Sequence, residues 1–378
     1  MQDTVSLVRC PDYDKRNIRK SLDAVLEPLG GITAFVKSGQ RVLLKPNLLS
    51  PRPLEQRVVT DPVLVEAVAR MVLEAGARPF IADSPALEPF AKIVKVTGLD
   101  RIAGELGISV RELKDPRPIP SNRVALFKNL EIAADAMEAD QVINLPKLKT
   151  HCQMLLTLGV KNLFGVIVAQ RKAEWHGMVG ASRRTFASLL LDINQAVNPG
   201  LTILDGVWGM EGHGPSNGRP RHFGVLAASK NALALDMTMC RLLGVSLEDY
   251  PLYLAARERG APELEQDAVK VLAPGIEMPL VTDLELPQLG SMEMLPGFLT
   301  SFSRRYLVSK PVQDKKACRL CGKCVRICPV NCLEILQNRM TFDYDRCIRC
   351  YCCQEVCPEN AISFKKGLLA KVLKGIGR

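Results

Sequence analysis

The chain has 378 residues, nearly half of them apolar (47%), which is enough for a sizeable core spread over two or three domains. A net charge of +10 and a pI near 9.0 point to anionic partners, while few aromatic residues and no helix-turn-helix or RNA-recognition signature argue against nucleic acid. No apolar run is long enough to span a membrane as a helix, and the N-terminal MQDTVSLVRC, acidic at Asp3 and without an apolar stretch of signal-peptide length, argues against Sec export.

Taken in order, residues 4–9 are rich in β-formers, and Asp14 to Leu29 carries helical spacing that stops at Gly30-Gly31. Val42 to Leu44 reads as a buried strand with Lys45, Pro46 and Asn47 at its C-terminal end. Ligands gather at that edge in open α/β sheets, so Lys45 and Asn47 are binding candidates; a solvated lysine and a turn asparagine are the alternative. Thr60-Asp61-Pro62 starts a helix that runs to Glu74 and stops at Gly76. The next strand, 78–83, again ends in polar residues, and Asp83 and Ser84 join the binding set. This rhythm of strand, polar tip and helix predicts an α/β domain with a mostly parallel, doubly wound sheet. Residues 98–128 hold a short helix and two short strands around a proline-rich turn.

Gln141 to Leu145 reads as another buried strand, followed by Lys147, Lys149, His151, Lys161 and Asn162. Between Asn144 and Arg184 there are seven Lys or Arg, two His and one acid, Glu174. The basic residues alternate with Leu, Thr and Gly, the footprint of an anion site more than of a solvated basic face. Lys147, Lys161 and Asn162 are therefore binding candidates, and Lys149 and His151 catalytic ones, the imidazole as a proton donor titrating near neutrality. His176, beside Trp175, is read as capping or packing. The Lys-x-Lys-x-His spacing alone does not indicate a metal.

Residues 182–197 form an amphipathic helix capped by Ser182, and the strand that follows ends at Asp205. The glycine-rich 206–218 then reads as a loop. It contains no G-x-G-x-x-G or GK[ST] and precedes a strand, which rules out a dinucleotide fingerprint and a P-loop. As an active-site flap it would offer Gly212 and Gly214 for close backbone approach, with Asp205, Glu211 and His213 for acid-base or metal roles; a structural turn is the other reading. Two helices after Lys230 complete a domain over 1–290, with Cys240 in its core. A linker over 291–311 and a basic tail over 365–378 flank the last unit, 312–364. The tail has a weak membrane-surface character, although a fraying terminus is the safer reading.

That unit holds ten of the thirteen cysteines, in two C-x2-C-x2-C-x3-C-P runs. In such a run three thiolates hold one cubane and the fourth serves the other. The expected sets are Cys318, Cys321, Cys324 with Cys357, and Cys347, Cys350, Cys353 with Cys328, for two [4Fe-4S] clusters. Structural zinc would leave two cysteines of each run unused, and a disulfide framework needs an oxidising compartment. Cys332 and Cys352 are spare, with a swap between Cys352 and Cys353 conceivable.

Over 312–364 the sequence resembles the bacterial two-cluster ferredoxins, a small α+β fold. The KPN at 45–47, NLPKLKTH at 144–151, GVKNLFG at 159–165 and D-G-x-x-G-M-x-G-x-G-P at 205–215 resemble a prokaryotic family of uncharacterised iron-sulfur proteins, a domain of unknown function fused to ferredoxin. A more distant similarity is to the nickel-pincer lactate racemase group. The resemblance implies a cytoplasmic protein. The leading expectation is an oxidoreductase passing electrons to an anionic substrate or further cofactor in the α/β domain. The alternatives are an electron carrier or adaptor for a redox partner protein, and a metal- or cofactor-handling protein.

Overall fold

The computed structural model describes residues 2–120, 123–169, 171–180, 182–265, 268–287 and 310–365. Its strands in the large unit are β1 (Asp3–Arg9), β2 (Arg41–Pro46), β3 (Arg78–Asp83), β4 (Ser109–Glu112), β5 (Pro116–Pro118), β6 (Glu131–Ala133), β7 (Gln141–Leu145), β8 (Lys147–His151), β9 (Leu155–Thr157), β10 (Leu201–Glu211), β11 (Arg219–Ser229) and β12 (Val269–Leu272). One sheet runs in the order β12-β1-β11-β10-β7-β2-β3-β4, with β8 and β9 attached to β10. All pairs from β10 to β4 along this path are parallel, whereas β11 runs against both its neighbours.

Helices cover both faces, as a doubly wound sheet requires. Lys15–Leu26 and Pro62–Glu74 start where Asp14 and Asp61 accept backbone N–H groups. With Phe90–Thr97 and Leu99–Leu106 they share one core with Val42, Leu44, Ile81 and Ile203. Leu43, Phe80, Ala82 and Leu204 point the other way, into a core shared with helices Arg183–Val197, Ala232–Leu242 and Pro251–Glu258. This period of two is what two buried faces demand of a strand, and each fully buried Leu, Ile or Phe contributes roughly 1.5–3 kcal/mol.

The chain winds outward from β2 through β3 to β4, then returns to place β7 on the other side of β2, with Lys45 opposite Asn144 and Pro46 opposite Leu145. The crevice at such a switch point is the usual ligand site. The basic stretch after β7 is itself a strand. Past Pro146, β8 pairs with the far half of β10, Asp205 opposite Lys147 and Met210 opposite Lys149. Accordingly β10 does not end at Asp205 but continues to Glu211, and what reads as a glycine loop is half strand. The glycines serve backbone proximity: a Cβ on Gly209 would lie 2.4 Å from the Leu148 carbonyl oxygen.

The C-terminal unit contains β13 (Lys310–Gln313), the hairpin β14 (Leu333–Leu336) with β15 (Arg339–Phe342), and β16 (Ile362–Lys365), which pairs with β13 and ties the unit's ends together. Short helices Lys323–Ile327 and Cys352–Glu355 lie between. Most of the expected linker, 291–309, and most of the basic tail, 366–378, fall outside the described residues. Among the described residues no helix is long and apolar enough to cross a membrane.

Candidate functional site

A cavity of about 350 Å³ lies between the switch point and the cysteine-rich unit. The large unit contributes Asn47, Asp83, Ser84, Lys149, His151, Lys161 and Asn162, all anticipated, together with Thr157, Lys172 and His176. The C-terminal unit contributes Cys352, Glu355 and Val356. The two units are joined by polar contacts around the rim. Arg52 Nη2 donates to the Cys357 carbonyl at 2.9 Å, Asn217 donates to the Gln354 carbonyl, and Lys323 pairs with Glu88.

The inner wall is fixed by a chain of amides. Asn162 Nδ2 donates to Asn144 Oδ1 at 2.8 Å, Asn47 Nδ2 to Asn162 Oδ1 at 2.9 Å, and Lys149 Nζ to Asn47 Oδ1 at 2.9 Å and the Val58 carbonyl at 2.7 Å. Burial, with Lys161 nearby, brings Lys149 down to about 7, and burial brings Lys172 down to about 7. Lys161 opens onto the cavity and is also lowered by burial.

Lys45 lies beneath this wall and does not line the cavity: it pairs with Asp83 at 2.7 Å. Gly165 is glycine because a Cβ there would meet Asp83 Oδ1 and Lys45 Nζ at 2.2 and 2.3 Å.

His151 Nδ1 accepts the backbone N–H groups of Gln153 and Met154, at 3.1 and 3.2 Å. The neutral ring therefore carries its proton on Nε2, 3.3 Å from Glu355 Oε1. Burial and the neighbouring lysines push this histidine well below its usual range. At neutral pH it is a fixed N–H donor, so the cavity groups poised to exchange a proton are Lys149 and Lys172. His151, Cys152 and Glu355 bring N, S and O atoms within 4.8 Å of one another. The two amides on Nδ1 argue against a metal there, since a metal-bound imidazole normally donates from its other nitrogen.

Four expected ligand residues lie elsewhere. Lys147 Nζ is 2.8 Å from Asp205 Oδ2 and donates to the Tyr13 hydroxyl, which in turn donates to Asp205 Oδ1 at 2.6 Å. None of these three lines the cavity. Gly214 packs on backbone, where a Cβ would fall 2.0 Å from the Thr150 carbonyl oxygen, and Gly212 donates its N–H to the Glu285 carbonyl. Glu211 is held by Arg219 and Arg221, and His213 is exposed. Glu355, Lys172 and Thr157 were not anticipated. Glu355 sits between two cluster-type cysteines, and nothing in its local spacing tells which way it faces.

None of the thirteen cysteines is paired in a disulfide. Cys318, Cys321, Cys324 and Cys357 line one small void; Cys328, Cys347, Cys350 and Cys353 line another. These are the two crossed sets, and the residues present fit such groups. Cys332 also borders the second void, its sulfur 3.4 Å from that of Cys328. Cys352 lines both the second void and the large cavity, so a single residue separates them.

Residues 42–241, more than half the chain, match the family described as a domain of unknown function (DUF362), and residues 317–361 match the 4Fe-4S dicluster domain. Over 259 residues, 68% of this chain and 80% of the relative, the sequence is 41% identical to thylakoid-associated protein sll1697 of Synechocystis sp. (strain ATCC 27184 / PCC 6803 / Kazusa). Among solved structures the chain is similar to the lactate racemase apoprotein from Thermoanaerobacterium thermosaccharolyticum (12% identity, TM-score 0.41, 61% of this chain and 55% of that one). It is also similar to a protein from Thermotoga maritima (13%, 0.36, 61% and 59%). It thus spans little more than half of either structure, and neither likeness bears on the chemistry of the cavity. The chain belongs to the DUF362 family of domains of unknown function and carries a C-terminal 4Fe-4S dicluster domain.

Proposed function

We propose that this protein is an iron-sulfur oxidoreductase that reduces an anionic substrate held between its two units. Cys318, Cys321, Cys324 and Cys357 would hold one [4Fe-4S] cluster and Cys347, Cys350, Cys353 and Cys328 the other; the sorting of these thiols into two voids supports that count. Bound there, the clusters would supply electrons one at a time. The observation that carries the reading is Cys352, which borders both the second void and a cavity walled by lysines. The ligand Cys350 itself packs in one apolar group with Ala86, Leu87 and Ala173 of the large unit.

In this reading the lysine-rich wall holds the substrate's negative charge. Lys149, at about 7, delivers a proton to the reduced substrate, with Asn47 and the Val58 carbonyl aiming its ammonium. His151 stays neutral and holds Glu355, keeping the C-terminal unit seated over the cavity. A cluster-bearing module suits the reducing cytoplasm, and the name of the Synechocystis relative favours contact of the basic tail with an anionic membrane surface.

The test is anaerobic. Full-length protein reduced with dithionite and freed of excess reductant is mixed with the small-molecule fraction of a cell extract, and the visible bleach is followed. Wild type should reoxidise, and Lys149→Gln at least about 100-fold more slowly, the scale of a lost general acid. Equal rates for wild type, Lys149→Gln and His151→Gln would sink the proposal. An electron carrier for a partner protein is the second reading, favoured by the exposed Cys321 beside exposed Lys315, Lys316 and Arg319. It expects reoxidation by an acidic protein and indifference to Lys149.

A further inference from the structure

The inner wall of the cavity leaves one ammonium without a hydrogen bond. Lys149 donates to Asn47 and Val58, and Lys172 to Ser84 and Ile167. Lys161 makes no hydrogen bond among the described residues and lies over the rings of Phe164 and Phe186, 4.7 and 5.4 Å from their centroids. His176 packs on the same two rings and has a buried Nδ1 with no partner. Thr157, opposite Lys149 in the β8–β9 pair, has a buried hydroxyl in the same condition. Buried polar groups are rarely left unpaired. Here two of them, His176 Nδ1 and the Thr157 hydroxyl, border one cavity beside the half-buried Lys161.

The carboxylates on the wall are already engaged: Asp83 with Lys45, Glu88 with Lys323 and Glu355 with His151. Glu355 acts on Lys161 only through space, from beyond ion-pair distance, so a partner that hydrogen-bonds this ammonium is left to a ligand. A phosphate would seek a helix N-terminus or an arginine fork. The helix start before Lys161 is blocked, because Asp236 accepts the N–H groups of Gly159 and Val160 at 2.7 and 3.0 Å, and at the start of helix Arg171–Val179 the N–H groups of Arg171 and Lys172 are taken by the Val168 and Ala169 carbonyls. Arg52, the arginine on the wall, is committed to the Cys357 carbonyl and to Asn217. Leu48, Leu49, Leu87, Phe164 and Val356 give much of the remaining surface an apolar character.

Resting on the reductase reading, we infer that Lys161, His176 and Thr157 anchor the single carboxylate of an amphipathic acid whose apolar body lies along this surface. On the inner wall one uncommitted ammonium matches one carboxylate; Lys92, also on the cavity, is solvent-exposed. Lys149 and Lys172, each near 7, add only part of a second charge, which disfavours a dianion. The volume, at the low end for small-molecule sites, suits a compact acid.

Calorimetric titration of the oxidised holoprotein tests this with trans-cinnamate and octanoate as probes, cinnamyl alcohol as the uncharged match, and fumarate and inorganic phosphate as polyanions. At least one monocarboxylate should bind, with Lys161→Gln weakening it about tenfold or more, the worth of a charge-assisted hydrogen bond. Thr157→Val should weaken it by a few-fold, and Lys161→Arg should retain most of the affinity, with iron content and circular dichroism confirming that each variant folds. The alcohol should not distinguish Lys161→Gln from wild type. No binding by either monocarboxylate, equal binding by Lys161→Gln, or tighter binding of fumarate or phosphate would overturn the assignment. Because no turnover is involved, these failures are separate from loss of the Lys149 effect on reoxidation, which alone judges the reductase reading.

Discussion

Lys147→Met should destabilise the large unit without touching the ligand cavity. Lys147 and Asp205 are fully buried, 2.8 Å apart, and removing one partner of such a pair costs about 3–5 kcal/mol because the other charge stays buried. Asp205 keeps two donors after the change, the Tyr13 hydroxyl at 2.6 Å and the Asp61 N–H at 2.9 Å, one on each oxygen. That places the expected loss at the lower end, about 3 kcal/mol. Asp205→Asn should cost a similar amount, since Lys147, already lowered by burial, is left without its counter-charge. The double variant should lose less than the sum, with a coupling of about 2 kcal/mol or more for groups in direct contact. Anaerobic urea unfolding followed by tryptophan fluorescence reads all three, Trp208 being three residues from Asp205 on β10. Affinity for trans-cinnamate should stay within about twofold, since a residue outside the cavity acts on binding only through stability. A Lys147→Met protein as stable as wild type, but unable to bind the acid, would refute the separation of this pair from the site.

Lys149 makes a pH prediction. Its native pKa of about 7 lies below the usual 10.5, so between those values the unfolded chain holds a proton that the native side chain has released. Native stability therefore rises with pH across that window; Lys149→Met should flatten the rise and gain relative stability near pH 6, read from urea midpoints at several pH values. The reoxidation rate of wild type should fall as pH passes above about 7. At Gly214 a Cβ would lie 2.0 Å from the Thr150 carbonyl oxygen, so Gly214→Ala should cost about 2 kcal/mol or more. Gly104, with nothing within 4 Å of its Cβ position and in the last turn of helix Leu99–Leu106, is the control: alanine there should gain up to about 0.5–1 kcal/mol in thermal melting.

Some of this was legible because the chemistry is local. A cubane needs several thiolates within a dozen residues, and the strand-tip lysines follow from where α/β sheets bind ligands. Two parts were not local. Lys147, Lys149 and His151 look equivalent as a basic string, yet as alternate residues of β8 they form a row along one face. The inner end of that row meets Asp205 and the outer end meets Glu355. Composition cannot tell the ends apart, because the partners come from 58 residues away in one case and from the other unit in the second. The glycines after Asp205 misled for a related reason. Gly209 and Gly214 reflect two backbones closing on each other, which in sequence looks the same as backbone closing on a ligand.

The shared wall at Cys352, Glu355 and Val356 makes the cavity's completion depend on the cysteine-rich unit. These residues are carried by the short segment from Cys350 to Cys357, which also holds Cys353, and three of its thiols are proposed cluster ligands. If these thiols hold clusters as proposed, a newly made chain without iron would lack the gathered ligands that shape this wall. On the proposed function, substrate capture would wait on metal delivery, and a chain unable to pass electrons would also be unable to sequester its ligand.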